Sequence, residues 1–119
     1  MTKKIKEILK KKEINGVDLE ELIKAREQKN VDFILVDVRE EYEFNNSRIE
    51  GVDHLIPLSK FYEKVEEIEG FKDLPIVMQC KLGGRSQQAQ RQLEIMGFNK
   101  VINLAGGITK YSGKKIHGN

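Results

Sequence analysis

The segment Phe33-Ile34-Leu35-Val36-Asp37-Val38 is apolar at five of its six positions and lacks the polar alternation of a strand with one face in water. A run of that kind suits a parallel strand covered on both faces. Ile76-Val77-Met78 and Val101-Ile102-Asn103-Leu104 have the same apolar character, and segments of helical periodicity separate such runs. Strands alternating with helices define a parallel α/β sheet, whose right-handed crossovers leave ligands at the C-terminal ends of the strands.

The intervening segments carry their own signals. Ile14 centres a brief first strand. Asp18-Leu19-Glu20-Glu21 then opens a helix, with Asp18 as carboxylate cap and Leu19, Leu22 and Ile23 facing inward. A short helix is expected over Glu40–Phe44 and a short strand at Leu55-Ile56. Ser59 is placed as the cap of a helix carrying Phe61, Tyr62, Val65 and Ile68. Pro75 begins the strand that runs to Cys80. Ala89, Leu93 and Met96 recur at helical spacing, and Gly97 ends that helix as a C-terminal glycine. Val101–Leu104 is the last strand expected.

A chain of 119 residues is read as one domain with one active site. Its single cysteine excludes an internal disulfide, and no apolar run has the length of a membrane span or a signal-peptide core. The expected compartment is the cytoplasm. The net charge is only +2, yet residues 1–12 hold six lysines and one glutamate, so the basicity is local to the N-terminus. There Ile5, Ile8 and Leu9 share one helical face with lysines around it, which reads as a short docked helix, residues 1–12, ahead of the main domain, residues 13–119. The alternative is a basic surface for a partner. No aromatic side chain interleaves with the lysines, which argues against nucleic acid.

The segment Cys80-Lys81-Leu82-Gly83-Gly84-Arg85-Ser86 joins a strand to a helix and contains the only thiol. A lone cysteine after a core-like strand is ordinarily a packed core residue. Two glycines and an arginine would be wasted behind such a residue, whereas they suit a loop that closes around an anion. Amides from Lys81 to Arg85 would then point at the sulfur, Gly83 and Gly84 would supply positive φ, and Ser86 would cap the helix. The helix end, Arg85 and Lys81 all favour a thiolate, so Cys80 is expected to titrate below the ordinary thiol range.

These residues resemble a family. The loop is similar to the Cys-x-x-Gly-x-Arg pattern of single-domain rhodaneses, sulfurtransferases that carry sulfur as a cysteine persulfide. Val36-Asp37-Val38-Arg39-Glu40 resembles the family's Asp-x-Arg motif, and Glu43-Phe44 the acidic-aromatic pair after it. Ile49-Glu50-Gly51-Val52 with Ile56-Pro57-Leu58 resembles His-Ile-x-Gly-Ala followed by Ile-Pro. Leu104-Ala105-Gly106-Gly107 with Tyr111 resembles the closing Leu-x-Gly-Gly-x-x-x-Trp. The sequence departs from these patterns at Ser47-Arg48, where Gly-His is common, by one extra residue between Gly51 and Pro57, and at Tyr111.

The resemblance implies a rhodanese-like α/β fold, a parallel sheet of about five strands flanked by helices on both faces. It implies a catalytic Cys80 that takes a sulfane sulfur from a donor such as thiosulfate and yields it to cyanide or a thiol. It also admits a carrier or partner-binding module that delivers the persulfide sulfur to another protein. Lys81, Leu82, Gly83, Gly84, Arg85 and Ser86 form the binding loop. Lys81 is either a solvated loop lysine or a charge that steers anions, and Arg85 either supports the persulfide or pairs with a carboxylate. Asp37, Arg39 and Glu43 form a supporting network. Gly106 and Gly107 permit close backbone approach to the loop, and Tyr111 is placed at the mouth. Arg48 and His54 read as surface residues. No cofactor is expected, and one Cys with two distant His leaves a metal without ligands. A phosphatase or arsenate reductase is the rival chemistry; phosphatase-type loops, however, place one residue more between Cys and Arg than the four between Cys80 and Arg85.

Overall fold

A computed structural model of the chain describes residues 1–118. Helix α1, Lys3–Leu9, leads into β1, Glu13–Ile14, and α2, Gly16–Glu27. Strand β2, Ile34–Asp37, is followed by α3, Glu41–Asn46, then by β3, Ser47–Ile49, and β4, His54–Leu55. A turn of 3-10 helix precedes α4, Phe61–Lys64, and a longer 3-10 stretch follows it. The chain closes with β5, Ile76–Gln79, α5, Gly84–Ile95, β6, Val101–Leu104, and β7, Lys115–His117.

Five strands form one parallel sheet in the order β1-β6-β5-β2-β4. The central strands β2, β5 and β6 are buried along their whole length, as their apolar runs require. Successive residues of each strand face opposite layers. Phe33, Leu35, Val77, Ile102 and Leu104 pack with Ile5, Ile8, Leu19 and Leu22 from α1 and α2. Ile34, Val36, Ile76, Met78 and Cys80 pack on the other side with Phe61 of α4 and with Ala89 and Leu93 of α5. The N-terminal segment 1–12 thus shares a core with the rest of the chain, and the Lys12 carbonyl accepts from the Asn103 amide.

Several local expectations are corrected. The cap of α2 is Asn15, whose side chain accepts from the Asp18 amide at 2.8 Å, and Asp18 is the reciprocal partner in a capping box. The short polar side chain three residues upstream competes better for the free amides than Asp18 does from inside the first turn. Ser59 caps nothing; it lies within the 3-10 turn Leu58–Lys60 and donates to the Glu40 carboxylate. Tyr62 faces solvent, and α4 is a single turn that relaxes into 3-10 helix. Val101–Leu104 is not the last strand. Lys115–His117 pairs antiparallel with Ser47–Ile49 as a separate two-stranded sheet.

Candidate functional site

Strand β5 ends at Gln79, and the chain turns at Cys80 toward α5. Three hydrogen bonds to two adjacent carbonyls fix that turn. The Cys80 carbonyl accepts from Gln79 Nε2 at 2.8 Å and from the Ile108 amide at 2.9 Å, while the Lys81 carbonyl accepts from the Thr109 amide at 3.1 Å. The segment after β6 supplies both amides, and it reaches them only because residue 107 is glycine. A Cβ there would lie 2.4 Å from the Cys80 and Lys81 carbonyl oxygens, at a φ of +56°. Gly106 stands one step away, its would-be Cβ against the Lys110 side chain.

Past Lys81 and Leu82, which are exposed, Gly83 takes φ +114° as the residue before α5. This bends the loop back over the sulfur. The Gly83 amide donates to Cys80 Sγ at 3.0 Å, the Ser86 amide at 3.4 Å and the Ser86 hydroxyl at 3.3 Å. Gly84 does not share the positive φ expected of it. It is the first residue of the helix, and only Gly83 pays for the turn conformationally. Ser86 does not cap α5 either; it sits within the first turn with its hydroxyl directed at the sulfur. Burial pushes the Cys80 thiol up, but hydrogen bonds from the Ser86 hydroxyl and from the Ser86, Gly83 and Leu82 amides outweigh it. The net shift is below the ordinary thiol value. Cys80 and Ser86 are buried beneath exposed loop residues, and the amino end of a twelve-residue helix lies behind the sulfur.

The charged residues form two pairs around this loop. Asp37 at the end of β2 accepts from Arg39 Nη2 at 2.7 Å and from the Arg39 amide at 2.9 Å, and Arg39 Nη2 also donates to the Ser47 carbonyl at 2.7 Å. Both side chains are buried, so the pair ties the strand end to β3. Glu43 of α3 holds Arg85 through both carboxylate oxygens. That hydrogen-bonded guanidinium holds the Glu43 carboxyl down at about 2, and Glu43 in turn raises Arg85. Arg85 therefore pairs with a carboxylate, the second of its two sequence readings.

Beside the loop lies a cleft of about 540 Å³ lined by Arg39, Tyr42, Glu43, Lys81, Ile108, Thr109, Lys115 and His117 among others. Tyr111, expected at the mouth, is not part of it. It is buried in the α2 layer against Gly16 and Gly113 and borders a separate depression with Glu20 and Glu50. Burial, with those two carboxylates, pushes its hydroxyl up to about 12. Arg48 stacks on Phe44 and donates to the Gly118 carbonyl, and His54 pairs with Glu67. Sequence reasoning missed Asn103, whose Oδ1 accepts from the Ser86 hydroxyl, and Gln79. A polar residue within each apolar strand was the available signal. Among the described residues no group of three or more His, Cys, Asp or Glu side chains could hold a metal ion, and no helix is long and apolar enough to cross a membrane.

A cysteine at a strand end, cradled by loop amides and a helix start, defines a class of anion-stabilising thiol sites. Residues 18–114 match the family described as the rhodanese-like domain, and the chain belongs to that sulfur-transfer family. The putative sulfur carrier protein YrkF of Bacillus subtilis is 36% identical over 80 residues, which cover 67% of this chain and 42% of that protein. The tRNA uridine(34) hydroxylase of Enterobacter sp. is 33% identical over 106 residues, covering 82% of this chain and 30% of that one. The chain thus spans less than half the length of these two relatives. Among solved structures, a rhodanese-related protein from Thermoplasma volcanium superposes with a TM-score of 0.73 at 28% identity, over 89% of this chain and 98% of the other. A thiosulfate sulfurtransferase from Pseudomonas aeruginosa gives 0.75 at 24% identity, over 89% and 20%, a likeness of fold.

Proposed function

We propose that the protein transfers a sulfane sulfur through a persulfide on Cys80, with thiosulfate as a competent donor and cyanide or a thiol as acceptor. The observation that carries this reading is the convergence of the Gly83 amide, the Ser86 amide and the Ser86 hydroxyl on one sulfur atom. A packed core thiol has no need of three donors, whereas a thiolate or persulfide anion does. In the first half-reaction Cys80 Sγ attacks the outer sulfur of thiosulfate; the S–S bond breaks and sulfite leaves with the electron pair. The loaded enzyme holds Cys80–S–S⁻. In the second, the acceptor attacks the terminal sulfur and Cys80 leaves as the thiolate. The protein's contribution is to stabilise the anion at each stage.

The carrier reading, delivery of the same sulfur to a protein partner, is favoured by one observation: Leu82 of the thiol loop and Tyr42 of the cleft lining are both large apolar or aromatic side chains left exposed. The name of the Bacillus relative, putative sulfur carrier protein, is compatible with it. Either way the donor loads Cys80. Incubation with thiosulfate, polysulfide or glutathione persulfide followed by intact mass measurement should show the gain of one sulfur atom, and Cys80→Ser should gain none. Steady-state transfer from thiosulfate to cyanide should be ping-pong, because sulfite leaves before the acceptor attacks the persulfide, and with one cysteine in the chain the acceptor must be external. Sulfur retained on the serine variant, or an obligatory ternary complex, would overturn the mechanism.

A further inference from the structure

The Ser86 hydroxyl has one proton and three acceptors within reach. These are Cys80 Sγ at 3.3 Å, the Gly83 carbonyl at 3.2 Å and Asn103 Oδ1 at 2.5 Å. Ser86 and Asn103 are both buried, so solvent does not complete their bonding. The Asn103 amide cannot turn over freely. Its Nδ2 faces Glu13 Oε2 at 3.2 Å and the Gly83 carbonyl at 3.3 Å, two groups that only accept. The carbonyl end must therefore point at Ser86, where it can do nothing but compete with sulfur for the hydroxyl proton.

We propose that Asn103 is a positioning residue that holds the Ser86 hydroxyl proton while Cys80 Sγ is uncharged and yields it when Sγ becomes an anion. The proposal rests on the sulfur-transfer reading for its role in turnover. In the persulfide, Sγ is bonded to carbon and to the outer sulfur and carries little charge, so the hydroxyl donates to Asn103. When the acceptor takes the outer sulfur, the electron pair of the broken S–S bond stays on Sγ, and the hydroxyl rotates onto it. Charge-assisted donation to the anion is stronger than donation to a neutral amide. The rotation leaves buried Asn103 Oδ1 short of a partner, and that cost is absent in the loaded state. Asn103 thereby favours the loaded enzyme over the free thiolate and raises the titration midpoint of Cys80 above what Ser86 alone would set. The charged groups around this end of the sheet are Arg85 with Glu43, Asp37 with Arg39, Lys81 on the loop and Glu13 on β1, and substitutions at Asn103 and Ser86 leave all of them in place.

The test uses the pH dependence of iodoacetamide alkylation in the full chain, which needs no sulfur donor. Asn103→Ala should lower the Cys80 midpoint by about half a pH unit, giving about threefold more thiolate below it. Ser86→Ala should raise the midpoint, and Asn103→Ala should add no further change in that background. An unchanged or raised midpoint in Asn103→Ala, or the same decrease without Ser86, overturns the proposal. The wild-type chain gives a second reading that does not depend on any variant folding. The side-chain carbonyl carbon of Asn103 should shift by NMR at the alkylation midpoint as it loses its donor, and a resonance that stays still through that pH range also overturns it. Failure of sulfur loading with the midpoints as predicted would instead count against the transfer reading alone.

Discussion

Arg85 and Glu43 meet through two parallel bonds, Nη1 to Oε1 at 2.7 Å and Nη2 to Oε2 at 3.0 Å, across forty-two residues of sequence. The pair joins α3 to the first turn of α5, directly behind the thiol loop. The guanidinium is thus oriented by a carboxylate, and its field at Cys80 is partly cancelled by its own partner. The amides and the Ser86 hydroxyl, rather than Arg85, lower the Cys80 midpoint most directly.

Separating the pair should move that midpoint in opposite directions. Arg85→Ala leaves the Glu43 carboxylate uncompensated near the sulfur, and the alkylation midpoint should rise by about half a pH unit. Glu43→Gln frees the Arg85 charge, and the midpoint should fall by a similar amount. Shifts of the same sign in both variants would show that the pair acts by holding the loop rather than through charge.

The same pair makes an acid-sensitive contribution to stability. The folded carboxyl of Glu43 sits at about 2, below its ordinary 4.5, so the unfolded chain binds more protons between those values. Its contribution is therefore whole above about 4.5 and lost as pH falls toward about 2. Glu43→Gln should cost about 1 kcal/mol in urea unfolding near pH 6. The gap from wild type should narrow near pH 3; a gap that stays constant would remove the ion pair as its cause.

Two glycines in the site should respond oppositely to a methyl group. Gly107→Ala forces a Cβ within 2.4 Å of two carbonyl oxygens at positive φ and should cost about 2–4 kcal/mol while abolishing sulfur loading. Gly84→Ala meets nothing within 4 Å and enters a helical backbone, so it should stabilise by about 0.4–1 kcal/mol. Denaturant midpoints with intact mass after thiosulfate treatment read both outcomes. A tolerated alanine at position 107 would sink the account of the loop clamp.

The N-terminal helix should matter to stability and not to small-molecule chemistry. Ile5 and Ile8 are 4% and 2% exposed, and Ile8→Ala should cost about 2–4 kcal/mol. Replacing Lys3, Lys6 and Lys10 by Gln should change stability by less than about 0.5 kcal/mol and leave thiosulfate loading unaltered. Loss of sulfur delivery to a protein acceptor in the lysine variant alone would identify the helix as a recognition surface.

The parallel sheet, the burial of its central strands and the position of the thiol at a strand end were legible in the sequence because their signals are local. An apolar run declares a strand covered on both faces, and a cysteine at such a strand's end followed by glycines and a helix declares a loop whose amides can turn toward the sulfur. Side-chain partnership was not legible, because it depends on which groups the fold brings together. Asn15 took the capping role expected of Asp18, and Gly84 entered the helix that Gly83 alone prepares. The Ser86 hydroxyl turned to Cys80 and Asn103, and Tyr111 went into the core beside Gly16 instead of to the mouth. The two-stranded sheet of Ser47–Ile49 with Lys115–His117 pairs segments separated by three other strands of the sequence, and Glu13 fixes an amide ninety residues away. A lone proton, a lone carboxylate or a strand edge is satisfied by the best-placed partner in space, and only the packed sheet brings those partners within hydrogen-bond distance.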